Sequence, residues 1–368
     1  LMVDGTTILS EDGNDVTTLS ALNGGQIIYR DATSVTIGSV TVDGMTITGV
    51  ETTGTGDLGV STVDGTITVN EHITVADGAI SLRANGTISD IAINNAVTAT
   101  TGAISIVADD SISFSAAGNV VANGPGNVTL TANAVDTAGN NGDGITMADN
   151  SFVNAGTGQI LLTSTGVNGG TIIAEDLTTN GDLIQLDATR NIEIGNGSGA
   201  TLKAEDANTA TSESILISAG MNITVHTGSI LSTDDMPGSS DETLTGDQIH
   251  LTADSDNNAA PMVTDTNMNG KFDPAEVAVV TDGLVTLGTS VQIITDGGIA
   301  TTFVNRPGTG VGTAFFNYGG TAIPSTITQD LGTLSYKVAF QITINSTGEE
   351  NLRIDIDWRD PNVAAFDH

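Results

Sequence analysis

The stretch Gly102-Ala-Ile-Ser-Ile-Val-Ala108, followed at once by Asp110-Ser-Ile-Ser-Phe-Ser115, decides the fold. Apolar and small polar residues alternate with period two through both halves, and a short polar corner separates them, which is the signature of two short strands. The pattern returns as Gly78-Ala-Ile-Ser-Leu-Arg-Ala84 with Gly86-Thr-Ile88, and as Gly126-Asn-Val-Thr-Leu-Thr-Ala132. It recurs as Ile184-Gln-Leu-Asp-Ala188 with Asn191-Ile-Glu-Ile194, and as Ile215-Leu-Ile-Ser-Ala219 with Asn222-Ile-Thr-Val225. An early copy is Ile27-Ile-Tyr-Arg-Asp-Ala32 with Val35-Thr-Ile37.

Aligned on the last apolar residue of the first strand, the copies fall at Tyr29, Val60, Leu82, Ile106, Leu130, Leu162, Leu186, Ile217, Leu251 and Leu287. Their spacings are 31, 22, 24, 24, 32, 24, 31, 34 and 36 residues. A base period near 24 with insertions of variable size predicts a solenoid whose loops leave at the corners. A coil of that length holds three short strands, each pairing in parallel with its equivalent one turn away at about 4.8 Å, so ten coils span on the order of 50 Å. Ile88, Ile112, Ile192 and Ile223 stand six residues after Leu82, Ile106, Leu186 and Ile217, and are expected to stack inside the coil. A β-sandwich also uses short strands and turns, but does not keep one inward residue at one offset through several copies.

Composition agrees with a layered aliphatic interior. Of 368 residues, 38% are hydrophobic but only 3% aromatic, so the core must be built from Ile, Val, Leu and Ala. Glycine, at 45 residues, exceeds the roughly 7% of an average protein and is dispersed about one per corner. The formal net charge of -35 disfavours nucleic acid as a partner, because such a surface repels phosphate, and favours calcium or cationic surfaces. No cysteine is present, so disulfides and thiolate metal sites are excluded. No run approaches the roughly 20 apolar residues of a membrane-spanning helix. The chain opens in mid-strand and closes inside a second β pattern, and is expected to be a segment of something longer.

The motif Gly-x-Ile-x-Leu-x-Ala followed by Asn-Ile-x-Ile resembles the right-handed parallel β-helix repeats of filamentous haemagglutinin-type bacterial surface proteins, over roughly residues 20 to 300. The resemblance implies an all-β chain of about ten coils that is secreted or displayed at the cell surface, and carries over no catalytic residue. The expected organisation is a β-helix over 1–300 with an insertion at about 254–280, a connector or cap over 301–333, and a β-hairpin over 334–368. In that hairpin, Asn351-Leu-Arg-Ile-Asp-Ile-Asp-Trp-Arg-Asp-Pro361 resembles the Ile-Asp-Trp-Gly-Asp strand of polycystic kidney disease-type immunoglobulin-like modules, with Arg359 where the pattern has Gly.

The sharpest local signal is Asp265-Thr-Asn-Met-Asn-Gly-Lys-Phe-Asp-Pro-Ala-Glu276, which resembles the calcium loop of EF-hands and dockerin-like repeats. Asp265, Asn267 and Asn269 supply oxygens at positions 1, 3 and 5, and Gly270 allows the sharp turn. Lys271 offers its carbonyl, Asp273 stands at position 9, and Glu276 closes the site with both carboxylate oxygens. No entering helix precedes the loop, so a structural calcium ion holding an insertion is expected rather than a sensor. Asp12-Gly-Asn-Asp15 and Asp254-Ser-Asp-Asn-Asn258 are also oxygen-rich but lack a closing carboxylate, and read as solvated turns.

Catalysis on a β-helix, as in pectinases and polysaccharide lyases, needs carboxylates with a basic residue aligned on successive coils. The pairs Asp109-Asp110 and Asp234-Asp235 have no basic companion at equivalent positions, and His72, His226, His250 and His368 are scattered. The expected role is therefore not enzymatic. It is a structural module of a large secreted or cell-surface protein that associates with neighbouring subunits, with a glycan-binding adhesin as the alternative and a polysaccharide-degrading enzyme as a more distant one.

Overall fold

The computed structural model describes residues 2–3, 5–133, 144–166, 170–204, 214–233, 248–253, 285–287, 291–295, 299–306 and 309–316. These residues contain strands and no helix, and the strands form three long sheets. Sheet I has 12 strands, sheet II has 10 and sheet III has 11. The chain visits them in rotation. Ile104–Ala108 lies in sheet I, Ile112–Phe114 in sheet II and Asn119–Ala122 in sheet III, after which Val128–Ala132 returns to sheet I beside its starting point. Coil-to-coil pairing is parallel throughout, which gives a parallel β-helix, and side chains from all three sheets share one aliphatic core.

Strict alternation places the core. In sheet I one inward column runs Tyr29, Val60, Leu82, Ile106, Leu130, Leu162, Leu186, Ile217 and Leu251, all at most 4% exposed. Two residues further along each strand the inward column turns small, through Ala84, Ala108, Ala132, Ser164, Ala188 and Ala219, where the chain bends towards sheet II. Large residues at the middle of a face and small ones at the corner let three sheets converge on one core.

Two sequence expectations need correction. Leu287 does not continue the sheet I column. It pairs with Val225 in sheet II, and the neighbour of Leu251 is Thr302. Residues 254–284 intervene at the corner between sheets I and II, so the next short alternating run is a sheet II strand. Ile88 is not inside either: it is 73% exposed, and Ile91 occupies the core position between Ile67 and Ile112. After Ala84 the chain makes an extra turn, with Gly86 at φ +114° and Ser89 N–H donating to the Gly86 carbonyl at 2.9 Å, so the strand starts three residues late. Ile112, Ile192 and Ile223 are fully buried as expected, Ile192 directly beside Ile223.

In sequence, residues 134–143, 167–169 and 254–284 separate a strand of sheet I from the next strand of sheet II, and 205–213 and 234–247 separate a strand of sheet III from the next of sheet I. Between sheets II and III an antiparallel hairpin projects, Ser39–Val42 with Met45–Thr48, turning through Asp43 (φ 50°) and Gly44 (φ 81°). Asp-Gly is the turn chemistry that such two-residue hairpins demand. Sheet I ends differently from the other two: Ile299–Arg306 adds in parallel and Thr309–Phe316 returns antiparallel along it. The expected module at 334–368 lies outside the described residues.

Candidate functional site

The calcium loop expected at Asp265, Asn267, Asn269, Lys271, Asp273 and Glu276 lies outside the described residues, as do Asp254-Ser-Asp-Asn-Asn258 and Asp234-Asp235. The described strands place that loop between Ala253, the last residue of a sheet I strand, and Val285, the first of a sheet II strand. Asp12-Gly-Asn-Asp15 is a tied corner. Asp12 Oδ1 meets Arg30 Nε at 2.9 Å, Asn14 Nδ2 donates to the Leu9 and Arg30 carbonyls at 3.0 and 3.1 Å, and Asp15 accepts from Thr33 Oγ1 at 3.1 Å. Among the described residues no group of three or more His, Asp or Glu side chains is arranged to hold a metal ion.

The carboxylates distribute into structural roles. Asp109, 5% exposed, accepts from Gly86 N–H at 3.0 Å and from Arg83 Nη2 at 3.4 Å. Arg83, on the preceding coil, is thus a basic companion that sequence spacing did not reveal; the sheet I register that sets Arg83 beside Val107 brings it to Asp109. Asp31 is fully buried and accepts from Val16 N–H at 3.0 Å, Thr33 N–H at 2.9 Å and Tyr29 Oη at 2.5 Å. Burial, together with the hydrogen bond to Asp31, pushes the Tyr29 hydroxyl well above the usual phenol range. Three donors to one carboxylate make a pin that ties the first corner to the core.

At all three corners, Ser, Thr, Asn and Asp side chains bridge adjacent coils. Before sheet II, Ser34, Thr66 and Asp90 accept from the N–H groups of Thr66, Asp90 and Ser111 at 2.9, 3.2 and 3.1 Å, each donor one coil further on. Asn191 does the same for Asn222 at 3.2 Å. Before sheet I, Asp57 and Asn127 accept from Ala79 and Gln159 at 2.8 and 2.9 Å. Before sheet III, Asn119 and Asp176 accept from Phe152 and Thr201 at 3.1 and 2.7 Å. These Asp and Asn side chains therefore satisfy backbone donors where the ladders break.

One cluster does not fit that pattern. Where sheet II hands over to sheet III, Glu175 is 4% exposed and accepts from Asn196 N–H at 2.6 Å. His226 Nε2 lies 3.2 Å from Glu193 Oε2. Burial pushes the Glu175 carboxyl above the usual carboxylate range; Asp149 and Asp176 add to the rise, while the Asn196 N–H and the charge of His226 oppose it. His250, facing outwards on sheet I, is held below the usual imidazole range by desolvation. In comparison with known proteins, the chain matches no family model, no curated protein and no solved structure.

Proposed function

We propose that the chain is a structural module of a large secreted or cell-surface protein, acting as a rigid stalk or as a subunit of an extracellular filament or surface layer. The observation that carries this reading is the coil-on-coil stacking of the described residues, with one continuous core and polar bridges at each of the three kinds of corner. Such a scaffold resists bending because each coil is bonded to the next along three separate sheets. The filamentous haemagglutinin-type resemblance points the same way and adds a bacterial, extracellular setting. Calcium belongs to this proposal through Asp265, Asn267, Asn269, Asp273, Glu276 and the Lys271 carbonyl, an oxygen set that suits a hard divalent cation.

Calorimetry with calcium should register a binding event for the parent chain that Glu276→Gln loses, because the closing bidentate carboxylate is gone. Equal heats for both proteins would remove calcium from the reading. For the role itself, electron microscopy of native material with and without a chelator is the test. Filaments or sheets that disperse on chelation are expected, whereas separate particles under both conditions, with turnover of a polysaccharide panel, would replace the structural role by a catalytic one.

A glycan-binding adhesin is the second reading, favoured by the outer face of sheet II. Over its first six coils the outward column runs Thr18, Thr36, Thr68, Ala92, Ser113 and Thr146, a neutral row of mostly hydroxyl side chains that gives way to Ile173 and Glu193 further along. Retention on an immobilised neutral glycan would support this face as a binding surface.

A further inference from the structure

The corner between sheets II and III brings together residues from four coils that are remote in sequence. Glu175 leaves the core immediately after the strand Ile172–Ala174 and is covered by the loop that follows Ile192–Ile194 on the next coil. That loop, 195–199, turns through Gly195 and Gly197 at φ +87° and +82°, and Asn196 is the residue it lays on Glu175. Asn196 Nδ2 also reaches back to the Met147 carbonyl at 3.5 Å, so one residue joins three coils. The titratable groups facing Glu175 are Asp149 from the turn of the preceding coil, Asp176 from its own coil, and His226 from the coil beyond the loop. His226 is paired in turn with Glu193.

We propose that Glu175 is a proton-uptake site that tightens this corner when the surroundings turn mildly acidic. A glutamate 4% exposed, with a single backbone donor on it and two carboxylates nearby, is poorly compensated when ionised. Protonation removes the repulsion from Asp149 and Asp176 and the cost of keeping a charge out of water. The neutral carboxyl group keeps a carbonyl oxygen that can accept from Asn196 N–H, so the loop stays anchored while the penalty disappears.

The direction follows from linkage. The folded-state pKa lies above the unfolded value, so the folded chain holds a proton that the unfolded chain releases. Stability at this corner therefore falls as pH rises from the ordinary glutamate value through the raised folded one. It is regained on acidification across the same window. The effect is read as a difference between variants rather than from one profile.

The test is thermal unfolding of the full chain from pH 8 to 4.5 in the parent, Glu175→Gln and His226→Gln, with hydrogen exchange at the 195–199 amides. Glu175→Gln is expected to unfold at a higher temperature than the parent at pH 8, with the difference closing as pH falls. His226→Gln removes the side chain that opposes the rise at Glu175 and should move the tightening of the loop to higher pH. Identical pH profiles for the parent and Glu175→Gln would overturn the proposal. Should Glu175→Gln not fold, the carboxyl carbon resonance of Glu175 in the parent decides: titration above the ordinary glutamate range supports the site, and titration within it ends it.

Discussion

Ile112→Asp is expected to abolish the single cooperative unfolding transition of the chain. Ile112 is fully buried and sits between Ile91 and Ile145 in the sheet II column. The substitution loses the burial of a large aliphatic side chain and inserts a carboxyl group with no partner, a combined cost on the order of 5 kcal/mol. That is comparable to the whole stability of many domains. In a solenoid each coil is held only by its neighbours, so the damage should separate the coils before Ile112 from those after it. Ile88→Asp is the matched control: Ile88 is 73% exposed, and the change should stay within about 0.5 kcal/mol of the parent. Calorimetric unfolding of the two variants checks both statements, and comparable stability of Ile112→Asp and the parent would contradict the observed register.

Gly102→Ala should destabilise by about 3 kcal/mol although it adds one methyl group. Glycines stack on successive coils at the corner before sheet I, through Gly56, Gly78, Gly102, Gly126 and Gly158. A Cβ on Gly102 would come closer than 3.0 Å to the carbonyl oxygen and carbon of Gly78 and to Ala79 N. All three are backbone atoms, so relief requires neighbouring coils to separate and weakens the ladder on both sides. Gly13→Ala has nothing within 4 Å of the new carbon and provides the comparison. A melting temperature for Gly102→Ala as high as that of Gly13→Ala would mean that the corner yields without cost.

The glycine column shows how far the sequence could be read. Period, strand alternation and the inward ladder of sheet I as far as Leu251 were visible, because each depends on residues close together in the chain. The glycine at the head of the motif was visible too, but its reason, the approach of one coil's backbone to the next, is a matter of three dimensions. Ile88 misled because Gly86-Thr-Ile88 looks like the start of a strand, and the extra turn depends on Gly86 leaving the usual backbone region. The hairpin at Val42-Asp-Gly-Met45 carried a recognisable Asp-Gly turn signal that the dominant 24-residue rhythm obscured. Glu175 could not have been singled out. Its neighbours Asp149, Asn196 and His226 are separated from it by corners of unequal length, and only the coil-to-coil register brings them together.

The direction of the bonds between coils has a mechanical consequence. In each sheet the backbone hydrogen bonds run along the length of the rod, at right angles to the strands that they join. Compression and sideways load therefore meet a close-packed stack. Tension applied through the first and last coils instead works on the outermost ladders, and peels one coil before it strains the next. A coil that contributes about 4.8 Å to the length of the rod releases a chain of about 24 residues, or roughly 80 Å when drawn straight. Under a pull the rod thus lengthens by paying out thread from its ends, and the coils still in place keep their shape.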